Sequence, residues 1–202
     1  KMNSESGRVF FLGASSKTLE KIKHRLKSEY KNINSEFLSP PFKSDFSIED
    51  DNLMVEAINN FKPDIVFHLA AQALVKLAYT DPVDTYSTNV MGSLNILQAV
   101  NKCGSVKSMI YVTSDKCYEN VEWEWGYREN DALGGPDPYS ASKGAAELAI
   151  RSYVKSYFAR ENNPVRIASA RAGNVIGGGD WAKDRIVVDC IKSWSKNKPA
   201  II

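Results

Sequence analysis

Short apolar runs, each followed by a stretch of helical periodicity, constrain this chain more than any other feature. The runs are Val9-Phe10-Phe11-Leu12, Ile65-Val66-Phe67-His68-Leu69, Met109-Ile110-Tyr111-Val112-Thr113 and Val165-Arg166-Ile167-Ala168, with a weaker candidate from Ser35 to Leu38. Near-continuous apolar runs of this length suit strands covered on both faces of a parallel sheet. Between them, apolar residues recur at helical spacing, as in Leu19, Ile22 and Leu26, or Val90, Leu94, Leu97 and Val100. The predicted helices are 18–30, 49–61, 82–102, 139–160 and 185–194. Strand alternating with helix builds βαβ units with right-handed crossovers, hence an α/β fold with a doubly wound, Rossmann-like parallel sheet. Ligands of such sheets bind at the carboxyl ends of the strands, near the point where strand order reverses.

Composition narrows the partners. Lys plus Arg number 26 and Asp plus Glu 24 in 202 residues, a net charge of +2. A strongly basic nucleic-acid surface is excluded as a whole-chain reading, so no nucleic-acid partner is expected. The sequence holds no apolar run near the roughly 18 residues of a membrane span, and its first residues lack a secretory leader, so no membrane partner and a cytoplasmic location are expected. Cys103, Cys117 and Cys190 are odd in number and never paired as CxxC. With only His24 and His68 beside them, they give no metal site and read as reduced packing residues.

Four strand ends carry the chemistry. The first run ends in Gly13, with Ser15 or Ser16 able to cap the next helix; backbone without side chains there would admit a phosphate, although an ordinary turn reads the same. The third ends in the small residues Ala70-Ala71 and Gln72, which would let a flat ligand approach. The fourth runs into Ser114-Asp115-Lys116, a hydroxyl, a carboxylate and an amine able to bind substrate and move protons. Tyr139 and Lys143 stand one turn apart on one helix face. A nearby ammonium lowers a phenol's pKa, so Tyr139 is a candidate base. The last strand leads into Gly173-Asn174 and on to Arg185, where Asn174 could hydrogen-bond a substrate and Arg185 could pair with phosphate. The 119–137 loop, rich in Trp, Gly and acidic residues, is long enough to be functional.

Taken together, HLAAQALVKLAYTDPVDTYSTNVMGSLNILQAV, TSDKCYEN, WGYRENDALGGPDPYSASKGAAE and RAGNVIGGGDWAKDR resemble the extended short-chain dehydrogenase/reductase family, and within it the nucleotide-sugar 4,6-dehydratases. Related dTDP- and GDP-sugar enzymes usually show Glu where Lys116 stands, so the resemblance points to the CDP-sugar branch. It implies NAD as cofactor, held by Gly13, Ser16, Ala70, Ala71, Gln72, Asn89, Tyr139 and Lys143. It implies a lyase of surface-polysaccharide synthesis that converts CDP-glucose to CDP-4-keto-6-deoxyglucose and water. Ser114 would bind the C4 oxygen, Tyr139 would take its proton with Lys143 in support, Asp115 would protonate the departing C6 hydroxyl, and Lys116 would serve C5. Ser114, Asn174 and Arg185 would bind the sugar nucleotide. Residues 1–174 would form the NAD-binding domain and 175–202 the start of a substrate domain, since family members continue for a hundred-odd residues.

Three departures accompany the resemblance. Ser16 and Leu19 occupy glycine positions of the GxxGxxG loop. The 32–49 region is short, with Ser47 where an adenosine-contacting Asp is usual and Asp45 nearby. The sequence ends at Ile202. These leave two alternatives, a non-catalytic protein of the same fold or a nucleotide-sugar epimerase or reductase. Family members commonly pair through the helices at 82–102 and 139–160, so a homodimer is also expected.

Overall fold

A computed structural model describes residues 6–13, 16–39, 48–160, 162–175, 181 and 185–201, with no account of the side chains of 48–51. Five strands, β1 (Gly7–Leu12), β2 (Ile33–Leu38), β3 (Ile65–His68), β4 (Ser108–Ser114) and β5 (Arg166–Ala172), pair in the order β2-β1-β3-β4-β5, every pair parallel. The helices are α1 (Ser16–Glu29), α2 (Ile48–Phe61), α3 (Val75–Thr80), α4 (Pro82–Tyr86), α5 (Gly92–Cys103), α6 (Pro138–Tyr153) and α7 (Ile186–Trp194). The order reverses between β1 and β3, so their carboxyl ends open the crevice where such sheets take ligands.

The two faces of the sheet are unequal. Phe10, Leu12, Val66 and Met109 lie against Met54 and Ile58 of α2, Ile96, Leu97 and Val100 of α5, and Ile150 of α6, in the main core. Each such side chain contributes roughly 1.5–3 kcal/mol on burial. The alternate strand positions carry Phe37, Phe11 and Phe67, which stack across β2, β1 and β3 with ring centroids 5.1 and 5.3 Å apart and are only half-buried. The expectation of strands covered on both faces therefore holds for one face. β5 departs furthest: most of its residues are exposed, because among the described residues it is an edge strand paired only with β4.

The helix expected over 82–102 is interrupted by a π turn, Ser87–Met91, and α3 had no counterpart in the periodicity. Both differences stem from tertiary contacts. The π turn holds Asn89, whose side chain accepts a hydrogen bond from the Gln72 N–H at 2.9 Å and donates to the Gln72 carbonyl at 3.2 Å and to Ser142 Oγ at 2.8 Å. A widened turn that re-aims one buried polar side chain is a common origin of such bulges. α3 is only six residues long, between Gln72 and the Asp81 cap of α4, too short for a periodicity to register.

Candidate active site

Tyr139 stands second in α6, and the start of that helix is well anchored. Asp137 caps it, accepting from the Ser140 N–H at 3.0 Å, and Pro138 supplies a preset backbone angle at the first position. The buried stripe of α6 then runs Tyr139, Lys143, Glu147 and Ile150, at helical spacing, against the sheet. Gly144 lets α6 approach closely: a Cβ there would stand 2.8 Å from the Gly134 nitrogen and 3.2 Å from the Cys117 carbonyl.

β4 delivers Ser114, Asp115 and Lys116 opposite this stripe. Ser114 Oγ accepts from the Lys116 N–H at 3.2 Å and donates to Asp115 Oδ1 at 3.0 Å, closing a tight turn that ends at Cys117. Asp115 and Lys116 are exposed. The Ser114 hydroxyl lies near enough to the Tyr139 phenol to favour its ionised form, and the Lys143 ammonium lies 5.8 Å from the centre of the Tyr139 ring. Ser114, Tyr139 and Lys143 thus come together.

Their electrostatics differ from the expectation of a phenol acidified by Lys143. Burial raises the Tyr139 pKa above its usual value, outweighing the Ser114 hydroxyl and the Arg185 charge, which pull it back down. Lys143 is itself only 7% exposed, and burial lowers its pKa to about 8, against the opposing influence of Cys117 and Glu147. Burial pushes the Cys117 thiol up to about 11, so it is neutral near pH 7. Glu147 is then the standing negative charge that counters the desolvation of Lys143. Burial, which a sequence does not display, outweighs the local i, i+4 pairing.

The crevice side is also formed. Gly13 has φ +114°, a conformation open to glycine, and a Cβ there would stand 2.4 Å from the Ala70 nitrogen. Ala70 and Ala71 leave the strand end uncluttered, and Asn89 holds the Gln72 backbone. Ser16 is the exposed first residue of α1, while Leu19 is buried one turn on. Arg185 precedes α7 and is half-buried near enough to act on Tyr139, whereas Asn174 is exposed. Asp45, Ser47, Ala14-Ser15 and the glycines 177–179 lie outside the described residues.

One network was not legible beforehand. Glu147, 4% exposed, pairs with Arg171 at 3.0 Å and accepts hydrogen bonds from Thr113 and Ser169. A carboxylate on the small-residue stripe of α6, one turn past Lys143, was the available signal, since buried charge demands a partner. Among the described residues no cluster of three or more His, Cys, Asp or Glu could hold a metal, and no helix is long and apolar enough to cross a membrane.

Comparison with known proteins places this geometry in context. The chain is 52% identical over 158 residues to CDP-glucose 4,6-dehydratase of Salmonella typhimurium, covering 77% of this chain but 44% of that enzyme. The chain therefore spans under half the length of that curated relative. A Pseudomonas aeruginosa structure, RMD solved with NADPH, is 25% identical and superposes with a TM-score of 0.64 over 90% of this chain and 58% of its own. The dTDP-glucose 4,6-dehydratase of Bacillus anthracis, solved with NAD, shares the fold at 16% identity, with a TM-score of 0.73 over 96% of this chain and 63% of its own. A family model described as GDP-mannose 4,6 dehydratase matches residues 6–169, from β1 into β5. With four-fifths of its length matched by that model, the chain belongs to the GDP-mannose 4,6-dehydratase family of extended short-chain dehydrogenases/reductases.

Proposed function

We propose that this chain carries the cofactor half and the proton-transfer groups of an NAD-dependent CDP-glucose 4,6-dehydratase, a lyase forming CDP-4-keto-6-deoxyglucose and water. The observation that carries the reading is the convergence of Ser114, Tyr139 and Lys143 at the carboxyl end of β4. The 52% identity to a CDP-glucose 4,6-dehydratase supports the substrate class. Residues 1–174 form the NAD-binding domain in this reading, and 175–202 begin the substrate region.

The residues present fit a dinucleotide. Gly13 keeps a Cβ out of the crevice, Ala70 and Ala71 add only methyl groups, and Ser16 opens α1, whose N-terminal end suits a pyrophosphate. Asn89, which pairs with the Gln72 backbone, would shape the floor of the cofactor site, and Tyr139 and Lys143 would hold its nicotinamide end. NAD, when bound, supplies the oxidation at C4 and the later reduction at C6.

The chain's own groups handle the protons. Ser114 hydrogen-bonds the C4 oxygen, and Tyr139 takes the proton of that hydroxyl. The nearby Ser114 hydroxyl and the Arg185 charge both favour the phenolate against burial. A C4 ketone acidifies C5, where Lys116 accepts the proton and returns it once C6 is reduced. Asp115 protonates the departing C6 hydroxyl, which leaves as water. Asn174 and Arg185 bind the sugar nucleotide. An acid beside the C6 hydroxyl is unnecessary for a plain C4 epimerisation, so Asp115-Lys116 favours the dehydratase.

A second, non-catalytic reading is favoured by Ser16 and Leu19 in glycine positions. Leu19 is buried, so its side chain takes core space beside the strand. In that second reading the bulk at these positions weakens NAD binding. Two measurements decide. Turnover of CDP-glucose with NAD should fall about 10²–10⁴-fold in Tyr139→Phe. Undiminished turnover in the variant removes Tyr139 from the reaction. Calorimetric titration with NAD separates the two readings: micromolar affinity discards the non-catalytic one, and binding weaker than micromolar favours it.

A further inference from the structure

We propose that Glu147 and Arg171 are a positioning pair that locks the carboxyl ends of β4 and β5, the 118–133 loop and the Tyr139–Lys143 face of α6 into one arrangement. The consequence for catalysis rests on the roles proposed above, whereas the test below needs neither cofactor nor substrate.

The hydrogen bonds of the pair join four pieces of chain, α6, β4, β5 and the loop after β4. Glu147, on α6, accepts from Thr113 Oγ1 on β4, from Ser169 Oγ at 3.3 Å on β5, and from Arg171 Nη2 at 3.0 Å. Thr113 is the residue before Ser114. Arg171, on β5, donates through Nη1 to the Tyr118 hydroxyl at 2.8 Å and to the Glu129 carbonyl at 3.0 Å. Its guanidinium lies 4.8 Å from the Tyr118 ring centre. Tyr118 stacks on Tyr127 at 5.1 Å, and Tyr127 meets Trp123 at 5.5 Å. The loop's own closure is backbone, from the Glu119 N–H to the Ala132 carbonyl at 2.9 Å and from the Gly134 N–H to the Cys117 carbonyl at 2.8 Å. Arg171 ties that closed loop to the sheet.

A buried ion pair adds little net stability over a well-packed apolar pair, but its directional bonds select one geometry. A guanidinium fork reaches carboxylate, hydroxyl and carbonyl together, where a lysine presents one compact charge. Burial works against the Arg171 charge, yet the Glu147 and Tyr118 hydrogen bonds hold its pKa above the usual value. The groups acting on Lys143 are Glu147 on its own helix and Cys117 on the turn, while Lys143 in turn acts on His68 of β3 and its ammonium lies beside the Tyr139 ring.

The test uses the whole chain with three variants. Amide hydrogen exchange over 119–134 should quicken at least about tenfold in Arg171→Lys, with β1–β3 unchanged. The Lys143 titration, followed by NMR of lysine side chains, should move below that of the unsubstituted chain in Glu147→Gln and return most of the way in Glu147→Asp. Loop exchange unchanged in Arg171→Lys, or Lys143 unmoved in Glu147→Gln, overturns the proposal. So does protection lost evenly through β1–β3, which would make the pair general scaffolding. If Glu147→Gln fails to fold, Arg171→Lys decides through loop exchange alone. Absence of turnover in the unsubstituted chain counts against the proposed function and leaves both readouts valid.

Discussion

Gly13→Ala probes the tightest point of the crevice. The residue has φ +114°, and the new Cβ would stand 2.4 Å from the Ala70 nitrogen, 2.6 Å from the Leu69 carbonyl carbon and 2.8 Å from the Ala70 Cα. All three are backbone atoms, held by the hydrogen bond from the Leu69 N–H to the Leu12 carbonyl at 2.7 Å, so no side chain can swing aside. Two costs add. A side chain in a sparsely populated positive-φ region costs about 1–3 kcal/mol. Overpacking a close contact costs about 1–3 kcal/mol more. The sum, roughly 2–6 kcal/mol, corresponds to a fall in Tm of about 5–20 °C for a chain of this size. Gly104→Ala is the matched control: its φ is +63° and nothing lies within 4 Å of the new Cβ, so it carries backbone strain without collision. Urea and thermal unfolding followed by circular dichroism measure both. A loss in Gly13→Ala no larger than in Gly104→Ala would refute the argument, because the contact between the β1 and β3 exits would then be slack.

Other perturbations bear on buried polar groups. Burial lowers the His68 pKa to about 3, so the unfolded chain binds a proton that the folded one refuses between about pH 6.5 and 3. His68 neutral stability is therefore complete above pH 6.5 and is lost on acidification, on the order of 5 kcal/mol by pH 3, a slope that His68→Phe should flatten in denaturation against pH. Lys143, lowered to about 8, gives a rise in stability from about pH 8 to 10.5 on the order of 3 kcal/mol as its burial cost disappears, and Lys143→Met should abolish that rise. Asn89→Ala leaves the Gln72 N–H and carbonyl without the side chain that pairs them and removes one of the two hydrogen bonds of Ser142 Oγ, which still donates to the Tyr139 carbonyl, and should cost about 2–4 kcal/mol by urea unfolding.

Much of the site was readable as sequence. Tyr139 and Lys143 share a helix face by spacing alone, and Ser114-Asp115-Lys116 follow directly from an apolar run, so both motifs fall at strand and helix ends as expected. What they touch was not readable. Local spacing favoured an acidified Tyr139, but the dominant influence is burial, a sum over atoms brought in from other segments. Glu147 and Arg171 are 24 positions apart, on a helix and on an edge strand, and their pairing requires β5 to lie beside β4 under α6.

The division follows the range of the forces. Apolar periodicity, the Asp137-Pro138 start of α6 and the glycine at the end of β1 are local instructions, acting within a turn or a strand, and they specify element type and the α/β class. Strand order, the half-covered Phe11 face, the π turn at Asn89 and the charge state of Lys143 depend on residues distant in sequence. Gly13 shows both scales at once: its lack of a side chain is visible in the sequence, whereas the need for it arises from Ala70, fifty-seven residues away, which only the pairing of β1 with β3 brings within reach.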